Sequence, residues 1–178
     1  MDNEVLEFWF NELEPKQWFV KDLDLDAMIE ARFCLLVEQA RAGELSSWRV
    51  TPEGRLAEII LIDQFSRNIF RDKPESFSAD PVALVLAQEA IGAGAYQRLE
   101  AQKRAFLYMP FMHSESRVIH EQAVILFDQP GLEHNLEFEY KHKAIVDRFG
   151  RYPHRNEILG RNSTEEEVAF LKEPGSSF

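Results

Sequence analysis

Signals that start helices recur along this chain, whereas the alternating apolar and polar pattern of a β-strand is nearly absent. Thr51-Pro52-Glu53 places a capping residue before a proline at the first helical position, and Asp80-Pro81 repeats the arrangement. Apolar residues in the segment 24–43 follow helical spacing: Met28, Ile29, Phe33, Leu36, Val37 and Ala40. The sequence therefore predicts an all-α fold of about seven to nine helices.

Short joints separate the predicted helices, and this favours antiparallel hairpins stacked on one another. One long helical stretch, from about Leu99 to Phe127, is expected to break or kink near Pro110, because proline removes a backbone hydrogen bond. A clean repeat of about 34 residues is missing, so the predicted likeness to a tetratricopeptide superhelix is one of architecture. We expect a single domain over residues 1–178 with a loose C-terminal tail at 172–178.

The net charge of −11 excludes some classes of partner. Nucleic acids and anionic membranes both need a clustered basic surface, so neither is an expected partner. Cys34 is the single cysteine, which excludes an intramolecular disulfide and favours a reducing compartment. The first residues are acidic where a signal peptide would be basic, and no apolar run approaches the length of a bilayer. We expect a cytoplasmic protein.

Polar residues interrupt an apolar helix in the segment IILIDQFSRNIF at 59–70. Asp63 and Arg67 have i, i+4 spacing and are expected to pair along the helix, as are Gln64 and Asn68. Because the other positions are apolar nearly all round, these side chains should lie in the interior, where charges must be paired or hydrogen-bonded. Two interpretations remain: an internal ion-pair network that fixes helix packing, or a pocket that Asp63 or Arg67 faces.

A second polar group follows Pro110 in the segment FLYMPFMHSES at 106–116. His113 is a candidate general base, since imidazole titrates near neutral pH, and Glu115 is the candidate partner that orients it. The structural alternative is a core histidine with satisfied hydrogen bonds. A metal site is a third hypothesis, but the order H-x-E-x4-H-E matches no established geometry, so no metal is predicted for His113, Glu115, His120 and Glu121.

Positive charge is concentrated between residues 141 and 161, where six Lys or Arg accompany two acidic residues. Gly150 is expected to end a helix with positive φ, and Pro153 to hold Tyr152 extended. Arginine forks on such a loop suit a carboxylate or a phosphate, although they could instead cap helices and pair with surface carboxylates. The candidate ligand-binding residues are Arg148, Arg151, Arg155, Asn156 and Arg161, and His154 is a second candidate acid or base.

Ordered motifs extend over nearly the whole chain. They are VLEFWF at 5–10, WF at 18–19, GEL…W at 43–48, LIDQFSRNIFR at 61–71, FSADPVAL at 77–84, YMPFMHSE at 108–115, RFGRYPHRN at 148–156 and LGRNST at 159–164. Together they resemble the bacterial family called domain of unknown function 924. The resemblance implies an all-helical, tetratricopeptide-like fold, but it implies no established activity and no agreed catalytic residues.

Two functions of different classes fit these patterns. In the first, the three polar groups converge on a buried pocket for a small phosphate- or carboxylate-bearing molecule, with or without catalysis. In the second, the polar motifs are purely structural and the concave face of the helical fold binds a peptide or protein partner. The sequence identifies neither a cofactor nor a reaction, and it leaves open whether the protein forms a homodimer.

Overall fold

The structure is a computed structural model that describes residues 1–177, and every regular element within them is helical. The predicted all-α class is therefore confirmed. The α-helices are α1 (Asp2–Glu7), α2 (Leu23–Arg41), α3 (Pro52–Ile60), α4 (Ser66–Ile69), α5 (Glu75–Ser78), α6 (Asp80–Gly92), α7 (Ala101–Met112), α8 (Arg117–Phe127), α9 (Glu133–Phe149) and α10 (Glu165–Phe170). Shorter 3-10 segments cover Pro15–Phe19, Ser46–Val50, Ala95–Arg98 and Pro153–Arg155, and π turns cover Phe8–Glu12 and Leu61–Phe65. Within residues 1–177, none of these helices combines the length and the apolar character that crossing a membrane requires.

Local signals set several helix ends as predicted. Thr51 caps α3 by accepting a hydrogen bond from the backbone N–H of Gly54 at 3.0 Å, with Pro52 at the first helical position. At the other end of the chain, α9 stops at Phe149 because Gly150 follows with φ of 73°. This turn directs the next residues, which include three of the predicted arginines, back across the helices.

The predicted break near Pro110 lies further along the chain. Helix α7 continues through Pro110 to Met112, and the chain leaves helical geometry at 113–116. Pro110 occupies the last turn of α7, so the loss of its backbone hydrogen bond does not break the helix before Met112. Helix α7 then packs against α8, and α8 packs against α9. The tetratricopeptide-like superhelix remains a prediction.

An aromatic cluster fills the centre of the main core. Phe65 lies with its ring centroid 5.0–5.9 Å from those of Phe8, Phe33 and Trp9, and all four rings are buried. Fully burying a phenylalanine side chain contributes about 1.5–3 kcal/mol. Since Phe65 belongs to the π turn Leu61–Phe65, its packing also draws the polar residues of that turn into the interior.

The C-terminal segment has a smaller core of its own. Ile145, Val146 and Tyr152 are buried together, with Phe149 and Phe170 packed against them. In the predicted loose tail, Ser176 is buried and its hydroxyl donates to the backbone carbonyl of Leu171 at 3.2 Å; Phe178 lies outside the described residues.

Candidate functional site

The site begins in the π turn Leu61–Phe65, which joins α3 to α4. A π turn rotates the side chains that follow it, and such turns are frequent at functional sites. Here Asp63 is only 1% exposed, and the amide of Gln64 donates to its carboxylate at 2.7 Å. The predicted pairing of Gln64 with Asn68 was wrong, because Gln64 donates to Asp63 and Asn68 donates to Asp26 at 2.8 Å.

One carboxylate oxygen of Asp63 contacts both a histidine and an arginine. Its Oδ1 lies 2.7 Å from Nδ1 of His113 and 3.5 Å from Nη1 of Arg67, so the predicted i, i+4 ion pair is present. Burial alone would raise the pKa of Asp63, but His113 and Arg67 lower it to about 2. Burial also lowers the pKa of His113, even though Asp63 opposes this. At neutral pH the carboxylate is ionised and accepts only, so Nδ1 of the neutral imidazole carries the proton.

Asp80, the first residue of α6, lies between two arginines. Arg67 donates to both of its carboxylate oxygens at 3.0 and 2.9 Å, and Arg155 donates to one at 3.3 Å. Arg155 is 6% exposed and also donates to the backbone carbonyl of His113 at 3.0 Å. The ring of Phe77 faces both guanidinium groups, at 4.5 Å from Arg155 and 5.6 Å from Arg67. We call this group of polar side chains the polar centre: Asp63, Arg67, Asp80, His113 and Arg155.

A surface pocket of about 260 Å³ adjoins the polar centre. Arg67, Phe77 and His154 belong to its wall. Burial lowers the pKa of His154 to about 4, and the positive charge of Arg155 acts in the same direction. The imidazole of His154 is therefore neutral at pH 7. The residues that line the pocket are Arg67, Arg71, Asp72, Ser76, Phe77, His154, Ile158 and Ser177.

Glu115 belongs to a second network. Its carboxylate accepts two hydrogen bonds from Arg161, at 2.7 and 2.9 Å, and one from the backbone N–H of Tyr152 at 2.7 Å. Burial opposes these contacts, but the contacts prevail and lower the pKa of Glu115. Arg161 also donates to the side-chain oxygen of Asn156 at 2.9 Å. This network fixes the loop after α9 to the turn that follows α7.

The remaining arginines of the loop pair with α10. Arg151 donates to both carboxylate oxygens of Glu167 at 2.7 and 2.8 Å and, as the main cause, lowers the pKa of that residue to about 2. Arg148 donates to Glu166 at 2.9 Å, and both of these side chains are exposed. These two arginines therefore have carboxylate partners within the protein itself.

A buried histidine–glutamate pair joins α8 to α9. His120 and Glu139 are both 0% exposed, with Nδ1 and Oε1 2.6 Å apart, and Nε2 of His120 lies 2.8 Å from the backbone carbonyl of Ser114. Because a carbonyl only accepts, Nε2 carries a proton, and the other proton lies between Nδ1 and Oε1. Burial raises the pKa of Glu139. Both ring nitrogens of His120 are thus used inside the fold.

Two histidines are expected to make the fold sensitive to acid. Burial lowers the pKa of His142 to about 3 and that of His154 to about 4. The unfolded chain binds these protons near pH 6.5, whereas the folded chain does not, so the stabilisation is fully present above that pH and falls as the pH decreases. In urea denaturation each histidine should contribute a slope that rises from about 0.7 kcal/mol per pH unit at pH 6.5 to about 1.4 near pH 5.

A non-titrating variant checks this interpretation. His142→Gln should lose part of the acid-induced destabilisation, because His154 and His113 still titrate with lowered pKa values, and His134→Gln, at an 81% exposed position, should lose none of it. Equal stability of the wild type at pH 7 and pH 5 would contradict the prediction.

The similarity to known proteins extends over nearly the whole chain and is not confined to this site. Residues 5–175 match a family described as a bacterial protein of unknown function, DUF924. The chain belongs to this family. A solved structure of a protein of unknown function, ATU0120 from Agrobacterium tumefaciens, is 37% identical, with a TM-score of 0.91 and coverage of 96% of each chain. Among curated proteins, none matches. The resemblance found in the sequence motifs is therefore confirmed.

In this DUF924 protein the structure brings together part of the predicted site. Asp63, Arg67, His113 and Arg155 meet in the polar centre, and His154 lines the adjoining pocket. Asp63, rather than the predicted Glu115, contacts the imidazole of His113. The other predicted residues bind groups elsewhere in the chain: Glu115, Arg148, Arg151, Asn156 and Arg161.

Sequence reasoning missed two members of this DUF924 site. Asp80 was assigned only as the start of a helix, and its side chain instead serves Arg67 and Arg155. Because Arg67 was already predicted to pair with Asp63, the sequence pattern gave no signal for a second carboxylate partner at Asp80. For Phe77, nothing in the sequence pattern indicates a place between two guanidinium groups.

The residues considered for a metal site are bound to other groups. His113 contacts Asp63, Glu115 binds Arg161, and His120 contacts Glu139. Within residues 1–177, His, Cys, Asp and Glu side chains form no group of three or more that could hold a metal ion.

Proposed function

We propose that the protein binds a small anion, one carrying a carboxylate or a phosphate group, in the pocket beside the polar centre. One observation carries the proposal: Arg67, Arg71 and His154 line the same pocket of about 260 Å³. Guanidinium forks match the geometry of carboxylates and phosphates, which makes arginine the usual residue for binding them. A volume of this order suits a small metabolite rather than a folded partner.

The arginine N–H groups at the pocket support this ligand class. Arg71 donates to Asp26 through Nε and Nη2, and its Nη1 has no hydrogen-bond partner within residues 1–177. Arg67 and Arg155 share the carboxylate of Asp80, and Arg67 has Asp63 as a second carboxylate partner. An anion bound at the pocket wall would supply further negative charge to these guanidinium groups.

The uncharged part of the pocket also favours a small ligand. Phe77 presents an apolar surface that the adjacent guanidinium groups hold in place. The neutral imidazole of His154 supplies a polar contact without a charge. Asp72 at the same pocket has φ of 60°, a left-handed conformation that is uncommon outside glycine and that clusters at ligand sites.

Small anions are expected to raise the melting temperature, and Ile158→Trp is expected to abolish the increase. Ile158 lines the pocket and carries no charge, so an indole at this position fills the space while leaving every ion pair in place. Differential scanning fluorimetry with phosphate, sulfate and small mono- and dicarboxylates measures the effect. A ligand present at about a hundred times its Kd stabilises by about 2.7 kcal/mol.

A surface arginine provides the matched control. Arg148→Gln removes a guanidinium that binds Glu166 outside the pocket, so it should keep the full increase. An increase in Ile158→Trp equal to that of the wild type would show that the anions bind elsewhere.

A peptide-binding adaptor with a tetratricopeptide-like superhelix is the second candidate, and one surface favours it. Phe19 is 68% exposed, Val20 and Leu23 are also exposed, and Val20 lines a surface pocket of about 440 Å³. Exposed apolar side chains that cluster in this way mark interaction surfaces. The variants separate the two candidates: Phe19→Ser should impair binding to a peptide array and leave the anion-induced increase unchanged, whereas Ile158→Trp should do the reverse.

We also propose a cytoplasmic location for either function. Cys34 is a free thiol, and no second cysteine is present to form a disulfide within the chain. A reducing compartment suits such a protein.

A further inference from the structure

Asp63 and His113 share a geometry that simple anion binding does not require. Asp63 is almost completely buried and contacts Nδ1 of the imidazole at 2.7 Å. The side chain of His113 nevertheless keeps 17% of its surface exposed, and its Nε2 has no hydrogen-bond partner within residues 1–177. One ring nitrogen is therefore fixed by a carboxylate while the other remains available.

We propose that Asp63 and His113 form a general-base dyad, in which Nε2 of His113 accepts a proton from a hydroxyl group or a water molecule next to a bound small anion. The identity of the anion rests on the function proposed above, whereas the dyad rests on its own geometry. In the step itself, an O–H bond breaks as the Nε2–H bond forms, the electron pair of the O–H bond stays on the oxygen, and the ionised Asp63 balances the charge of the imidazolium.

The surroundings of Asp63 prepare it for this role. Gln64 donates to Oδ2 at 2.7 Å, and Arg67 lies 3.5 Å from Oδ1, so the carboxylate is held in one orientation. An oriented carboxylate fixes the protonated Nδ1 and leaves the lone pair on Nε2. Because burial lowers the pKa of His113, the imidazole is neutral at pH 7 and able to accept a proton. Asp63 also lies on a π turn, and such turns are frequent at functional sites.

Two contacts join the dyad to the proposed ligand pocket. Arg67 lines the pocket and shares Oδ1 of Asp63 with the imidazole. Arg155 donates to the backbone carbonyl of His113 at 3.0 Å and stacks on Phe77, which also lines the pocket. Among the described residues, His113 is not part of the pocket wall, so the dyad is connected to the pocket through Arg67 and through Arg155 and Phe77.

A second histidine in the same protein shows what a purely structural arrangement looks like. His120 also contacts a buried carboxylate, that of Glu139, but its Nε2 is bound to the backbone carbonyl of Ser114 and the ring is 0% exposed. Both nitrogens of His120 are thus used within the fold. The availability of Nε2 distinguishes His113 from this pair.

Chemical modification and NMR test the dyad without knowledge of the substrate. In a phosphate-free buffer at pH 7, diethyl pyrocarbonate is expected to modify His113 at least as fast as His134, which is 81% exposed and serves as the internal reference. Asp63→Asn should slow modification of His113 by about tenfold or more and leave His134 unchanged. Nitrogen-15 shifts of the wild type should show the tautomer protonated at Nδ1, a result that needs no variant to fold.

Each outcome decides one part of the proposal. A tautomer protonated at Nε2, or modification of His113 no faster than that of the buried His120, would overturn the dyad. Protection of His113 by added phosphate or by a small dicarboxylate, with His134 unaffected, supports the ligand class. If none of these anions protects His113, the proposed substrate class is overturned, and failure of the melting-temperature test would independently reject the pocket.

Discussion

Replacing Asp80 by asparagine is expected to lower the free energy of unfolding by about 3–5 kcal/mol. Arg67 and Arg155 would lose the carboxylate that they share, and Arg155 is almost fully buried. Asparagine keeps the volume of the side chain and one carbonyl oxygen, so the change removes the charge and replaces one of the two accepting oxygens by an amide donor. The effect should therefore report the electrostatic role of Asp80, and urea denaturation at pH 7 measures it.

The same substitution at an exposed carboxylate provides the control. Asp147 binds Lys143 at 2.7 Å at the protein surface, where an ion pair contributes little. Asp147→Asn should change stability by no more than about 0.5 kcal/mol. If Asp80→Asn is no more destabilising than Asp147→Asn, the polar centre does not depend on its shared carboxylate.

Local interactions explain why the helical fold could be predicted from the sequence. The cap at Thr51 and the left-handed Gly150 depend on residues within a few positions of each other, so the sequence alone determines them. The ion pair of Asp63 with Arg67 is local in the same sense. The pairing of Gln64 with Asn68 failed because each amide donates to a carboxylate instead, Gln64 to Asp63 and Asn68 to the distant Asp26.

The polar centre was only partly predictable because its remaining contacts join distant parts of the chain. Arg155 meets Asp80 and the backbone of His113, and no spacing rule connects these residues. The charged loop shows a related difficulty. The chain contains 31 acidic and 20 basic residues, so an arginine readily finds a carboxylate within the protein. Arg151 and Arg161 do so at Glu167 and Glu115, and only the tertiary fold determines which arginines remain near a pocket.

Glu139→Leu is expected to lower the free energy of unfolding by about 3–5 kcal/mol, an effect comparable to that of Asp80→Asn. The variant leaves Nδ1 of His120 in the interior without the carboxylate that lies 2.6 Å away in the wild type. An unpaired polar group that is cut off from water loses its hydration and gains nothing in return. Urea denaturation at pH 7 gives the value.

The double variant His120→Leu/Glu139→Leu separates the cost of leaving His120 unpaired from any loss of packing. Removing both partners leaves neither member of the pair without the other, so the double variant should be more stable than Glu139→Leu alone. Such an outcome would mean that the pair contributes little to the free energy of unfolding, and that its main effect is to set the alignment of α8 against α9. Additive losses from the two single substitutions would contradict this, because they would show that each side chain contributes through packing rather than through the shared proton.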